Sequence, residues 1–145
     1  MYIETLDQLV SLAFLVICCG VALWRGGRVE RIAATTMILA WFATPLVQNV
    51  HQQLGPQSGV LIVDVMLLVV LLIQALTSNR WWPMVATAFQ GVNATVHLAA
   101  AVDSQIFPRA YYVAGSLLSD LTLATLLIGA LNRGQGARAT LEKVP

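Results

Sequence analysis

The sequence predicts an all-α integral membrane protein, a five-transmembrane-helix bundle with its N-terminus outside and its C-terminus in the cytoplasm. Three observations predict it. The 145-residue chain is 58% hydrophobic and only 10% charged, against about 25% charged residues in soluble domains. Apolar windows of about 20 residues, enough to cross about 30 Å of hydrocarbon, fit five times, over 6–24, 31–50, 59–77, 82–102 and 111–131. The basic residues are sorted by side: Arg25, Arg28, Arg31, Arg80, Arg133, Arg138 and Lys143 share one side of a five-span chain, and only Arg109 lies on the other. Cytoplasmic loops collect positive charge, which sets the orientation. Residues 1–132 form the single bundle and 133–145 a polar cytoplasmic tail.

The aromatic residues give the same orientation. Trp24, Trp81 and Trp82 fall at cytoplasmic ends and Tyr2, Tyr111 and Tyr112 at outer ends, where an amphipathic ring has both lipid and water. Trp41 lies near the middle of span two, where its indole N–H needs an acceptor.

Span one follows "MYIETLD", whose Glu4 and Asp7 replace the basic region of a signal peptide, so it is expected to stay in place as a span. Cys18 and Cys19 are adjacent and point in different directions, which suits packing cysteines better than a bridge or a metal. The bulky Ile17 before them rules out a lipoprotein cleavage site. Gly26 and Gly27 make the turn into span two. Pro45, after Thr44, removes a backbone donor and can kink that span below the polar end formed by Gln48, Asn49 and His51.

Span three contains "VMLLVVLLI", an aliphatic run suited to lipid, with Asp64 turned inward and Gln74 toward the cytoplasmic end. Span four contains "FQGVNATVHLAAA". At helical spacing Gln90, Asn93, Ala94, His97 and Ala101 make a polar stripe, and Ala88, Gly91, Thr95 and Ala99 a small-residue stripe roughly opposite. Small residues permit close helix approach, so span four is expected at the centre of the bundle. In span five Ser116, Ser119 and Asp120 share a face suited to meet that polar stripe. The tail, within "NRGQGARATLEKVP", is polar and expected to be loose.

Several chemistries lack their motifs. The "NAT" at Asn93 lies inside a span and is no glycosylation acceptor. No P-loop, dinucleotide-binding glycine pattern, serine nucleophile elbow or CxxC is present. The basic residues are too few and too dispersed for nucleic acid.

The polar groups inside spans carry the functional question, because ionisable residues in lipid face the bundle interior or a wet cavity. Helical rise puts Asp64 and His97 about 7 Å below the outer ends of their spans, and Asn93 and Asp120 about 13 Å below. Asp64, Asn93, His97, Asp120, Gln48 and Gln90 are therefore the candidates for an outward-facing polar pocket or proton site between spans two and five. A pair of Asp120 with His97 would hold or relay a proton; alternatively the same groups satisfy one another as interhelical hydrogen bonds. His51 and His97 share a side, as a haem clamp requires, and His97, Asp64 and Asp120 are conceivable metal ligands. Neither set has ligand spacing, and no cofactor is expected. Spans two and three, and again four and five, place an amide and a histidine before an aspartate, a faint echo of duplicated hairpins.

The expected function is that of a non-enzymatic accessory or assembly subunit in a bacterial cytoplasmic membrane. Its partners would be the bilayer and either a membrane protein or its own copies. The alternative is a minimal proton or small-solute carrier or channel built on the polar pocket.

Overall fold

A computed structural model describes residues 2–47, 58–102 and 108–141, with side chains for 9–47, 58–100, 102, 111 and 113–132. Gln48 and His51 lie outside the described residues. The protein is all-helical, with five helices and no strand among the described residues: α1 (Tyr2–Arg25), α2 (Arg28–Val47), α3 (Ser58–Thr77), α4 (Trp82–Val102) and α5 (Pro108–Leu141). Each helix packs on the next, and α5 closes the bundle by packing also against α1 and α2.

Local chemistry explains the breaks. At the α1–α2 turn the Gly26 amide closes on the Ala22 carbonyl at 2.9 Å. A Cβ on Gly26 would lie 2.1 Å from that oxygen, so only glycine permits so close an approach. Gly27 then caps α2. Its carbonyl accepts from the Arg31 amide at 2.9 Å, and its own N–H donates to Glu30 Oε2 at 2.7 Å, the reach-back of a glutamate at the third helical position. At the other turn Ser78 ends α3 by donating both its amide, at 2.9 Å, and its hydroxyl, at 2.6 Å, to the Gln74 carbonyl. Pro83 sits in the first turn of α4, where its missing N–H costs nothing.

Among the described residues two stretches are long and apolar enough to cross a membrane: Ser58–Thr77, with mean hydropathy 2.7, and Val113–Asn132, with 1.6. The charges at the start of α2 and the two amides and histidine of α4 dilute those helices. The five-helix count follows the expected spans, but five crossings are not established by length and hydropathy. At the end of the chain α5 continues as helix to Leu141, where a loose tail was expected. No proline follows Asn132 until Pro145, so nothing in the sequence forces the helix to stop.

The core is built from small and sulfur-bearing side chains, with Cys18, Cys19, Ala22, Ala33, Ala34 and Ala86 buried alongside Leu71 and Leu126. Cys18 and Cys19 are both free. Large aliphatic residues lie outside instead, with Leu39 at 64%, Met66 at 66% and Leu76 at 78% exposure.

Three expectations about packing are corrected. Trp82 does not stand exposed at a helix end as Trp24 and Trp81 do but is 1% exposed, because Gly129 of α5 leaves a flat seat for its indole. The stripe of Ala88, Thr95 and Ala99 is exposed, and α4 packs through Ala86, Gln90 and Asn93 instead. Trp41 makes an edge-to-face contact with Phe42, centroids 5.3 Å apart, and its indole N–H has no hydrogen bond among the described residues.

Candidate functional site

Asp64, on the second turn of α3, faces α4 and lies opposite Gln90 and His97, which are two helical turns apart on one side of α4. The carboxylate is fully engaged. Gln90 Nε2 donates to Asp64 Oδ1 at 3.0 Å and to the Asp64 backbone carbonyl at 3.3 Å. His97 Nε2 lies 2.8 Å from Asp64 Oδ2. The other ring nitrogen, Nδ1, is hydrogen-bonded to the Tyr111 hydroxyl of α5, and the two rings meet edge to face with centroids 5.0 Å apart.

One assignment of protons fits the two bonds that join Asp64 Oδ2, the imidazole and the phenol. With Asp64 ionised, Nε2 carries the imidazole proton and donates to Oδ2, which leaves Nδ1 to accept from Tyr111. The donors then point in sequence from phenol to imidazole to carboxylate across three helices. Protonating the imidazole reverses only the Tyr111 bond and makes the His97–Asp64 contact an ion pair. Gln90 is buried, and the His97 and Asp64 side chains are 10% and 15% exposed. In so dry a setting an orphaned partner would be costly.

The other candidates separate from this chain. Asn93 is buried one turn from both Gln90 and His97, and its Oδ1 has no partner. It packs against Gly115 of α5, where an added Cβ would come within 3.6 Å of that oxygen. Asp120 does not meet His97. Ser116 and Ser119 are exposed and Asp120 is partly exposed, with Cys18 of α1 close enough to feel the charge of Asp120. The expected face-to-face match of the α5 polar face with α4 is therefore corrected: α5 presents Gly115 to Asn93 and turns its serines outward. A metal site from His97, Asp64 and Asp120 is not assembled, and among the described residues no three His, Cys, Asp or Glu side chains converge.

A second polar cluster, at the end holding the two tight turns, escaped the sequence reading. Glu30 is 1% exposed and, besides the Gly27 amide, takes a bond from Trp82 Nε1 at 3.2 Å and an ion pair from Arg80 Nη1 at 3.4 Å. Burial alone raises the Glu30 carboxyl. The amides of Glu30 and Gly27, the Trp82 indole and Arg80 together outweigh it and hold the carboxyl below the ordinary glutamate range. The signal was present: Glu30 is the one acid among the arginines of "RGGRVE", three residues after a capping glycine. An open cleft of about 640 Å³ lies over this cluster, lined by Ser78, Asn79, Arg80, Trp81 and Asn132 among others.

No protein family, curated protein or solved structure matches this chain. The functional reading therefore rests on these two clusters and on the apolar exterior. The Asp64 cluster can do two things chemically: lock α3, α4 and α5 in register, or hold a proton between a carboxylate and an imidazole. The Glu30 cluster ties the α1–α2 turn to the start of α4 and, through Gly129, to α5.

Proposed function

We propose that this chain is a five-span membrane protein, N-terminus out and C-terminus in, that serves as a non-catalytic accessory or assembly subunit of a complex in a bacterial cytoplasmic membrane. One observation carries the choice over a carrier. Asp64 is bonded by both Gln90 and His97, and His97 also by Tyr111, which joins three helices as interhelical glue does. The exterior supports the membrane reading: only 17% of the most apolar window is buried, where the core helix of a soluble protein is mostly buried. In this orientation the Glu30 cluster and its cleft lie at the cytoplasmic surface and the Asp64 cluster in the outer half of the bilayer.

Purification in several mild detergents tests the subunit reading, with a stoichiometric membrane partner as the expected result. A lone monomer in all of them would overturn it. Alkaline-phosphatase and fluorescent-protein fusions at the two termini test the topology, with activity expected only for the N-terminal phosphatase and fluorescence only for the C-terminal reporter.

The ordered chain from Tyr111 through His97 to Asp64 favours a second reading, a proton site in a minimal carrier. It predicts proton flux in proteoliposomes that Asp64→Asn abolishes while the protein stays folded. Equal flux from protein-free liposomes would eliminate it.

A further inference from the structure

We propose that the α5 face bearing Ser116, Ser119 and Asp120, beside α1, docks a transmembrane helix of a different protein that carries a lysine or arginine at matching depth. The proposal rests on the accessory-subunit reading and names the contact through which that subunit is held.

Asp120 lies about 13 Å below the outer end of span five by helical rise, well inside hydrocarbon. Ser116 and Ser119 are exposed there and Asp120 is partly exposed. Among the described residues none of the three makes a hydrogen bond or ion pair. The contrast with the other helices is specific. Thr44, Thr87 and Thr95 turn their hydroxyls back onto the carbonyl four residues earlier, the usual way to satisfy a hydroxyl in a helix. Ser116 and Ser119 do not. Asp64, the carboxylate of span three, is met by an amide and an imidazole. Asp120 has no such partner among the described residues, and Cys18 of α1 lies close enough to feel its charge. A carboxylate and two hydroxyls directed at lipid, between the exposed apolar Val113, Leu117 and Leu121, form a surface complete only when a helix bearing donors covers it.

Charge complementarity selects the occupant. Every Lys and Arg of this chain lies at or beyond the ends of its spans, so a second copy has no cation to offer at this depth. A two-fold contact between copies would bring two carboxylates together instead. A cationic side chain on a foreign helix neutralises Asp120 and leaves donors for the serines.

The test is site-specific photo-crosslinking in native membranes, with benzoylphenylalanine replacing Ser116 or Ser119, and Ile62 or Ile73 of α3 as lipid-facing controls. The expected result is a discrete protein adduct at positions 116 and 119 and none at the controls. Its cross-linked peptide should map to a transmembrane segment with a mid-membrane Lys or Arg. Asp120→Asn should lower the yield about tenfold, the loss of one charge-assisted bond, and Asp120→Glu should keep most of it. Asp120→Lys paired with an acidic substitution of the partner's basic residue should restore it. An adduct of twice the monomer mass would overturn the proposal in favour of self-association. Adducts only at the controls, or a yield indifferent to Asp120→Asn, would overturn this docking face and leave the subunit reading standing. No protein adduct at any position would overturn both.

Discussion

Replacing Gly129 with alanine probes the Glu30 cluster through a single methyl group. The new Cβ would lie 2.3 Å from Trp82 Cδ1, 2.4 Å from Cγ and 2.8 Å from Nε1, whereas carbon atoms rest at about 3.5 Å or more. The indole, 1% exposed, must retreat by roughly 1 Å. Its bond to Glu30 is already 3.2 Å long, so the retreat carries it past hydrogen-bonding range. Overpacking costs about 1–3 kcal/mol, and a lost bond to a charged group about 1.5–3 kcal/mol. Because both act through one side chain they do not add fully, and the expected destabilisation is roughly 3–4 kcal/mol. The assay is unfolding of purified protein in mixed micelles by SDS titration, followed by circular dichroism. Gly20→Ala is the internal control, since a Cβ there meets nothing within 4 Å; its stability should stay within about 0.5 kcal/mol of the parent. If Gly129→Ala unfolds at the same SDS fraction as Gly20→Ala, the account of Gly129 as the seat of Trp82 is wrong.

Three further outcomes follow from the same geometry. Gln74→Leu should stabilise the protein by about 1–3 kcal/mol, because both side-chain polar atoms of Gln74 are buried without a partner; a loss of stability in the same SDS titration would show that the amide is satisfied. A double-mutant cycle of Asp64→Asn and His97→Ala should give a coupling of about 0.6–1.7 kcal/mol, the range for membrane-embedded hydrogen bonds, and zero coupling would sever the pair. The depressed Glu30 carboxyl stabilises the fold fully above the unfolded glutamate value near pH 4.3, and that stability disappears as pH falls through the lower folded value. Glu30→Gln should therefore lower stability at pH 7 and flatten the acid limb of the stability profile, and an unchanged slope between pH 5 and 3 would count against the assignment.

Depth along each helix was legible before any coordinates; rotation about each helix axis was not. The rise per residue put Asp64 and His97 at one level, and they meet. It also put Asn93 and Asp120 at one level, and they do not, because Asp120 is turned toward α1 and the exterior. Azimuth is ordinarily read from which face is apolar. Here that signal fails, since the faces carrying Leu39, Met66 and Leu76 outward are as apolar as those burying Leu67, Leu71 and Leu126. The small-residue stripe of α4 was misjudged for the same reason: alanine and threonine suit a tight interface and an open surface equally well.

The sequence by itself determined what depends on a few neighbouring residues: helix as the only element among the described residues, the turn at Gly26 and Gly27, the break at Ser78, and the level of Asp64 and His97 along their helices. Backbone hydrogen bonds and caps are local, so a short window of chain contains their cause. Tertiary structure decided which polar group finds which partner, that Trp82 is buried on Gly129 beside Glu30, and that the Ser116 and Asp120 face is left uncovered. Those outcomes depend on how five helices rotate to bury Cys18, Ala22, Ala33, Ala34 and Ala86 together, a packing problem that every helix must solve at once.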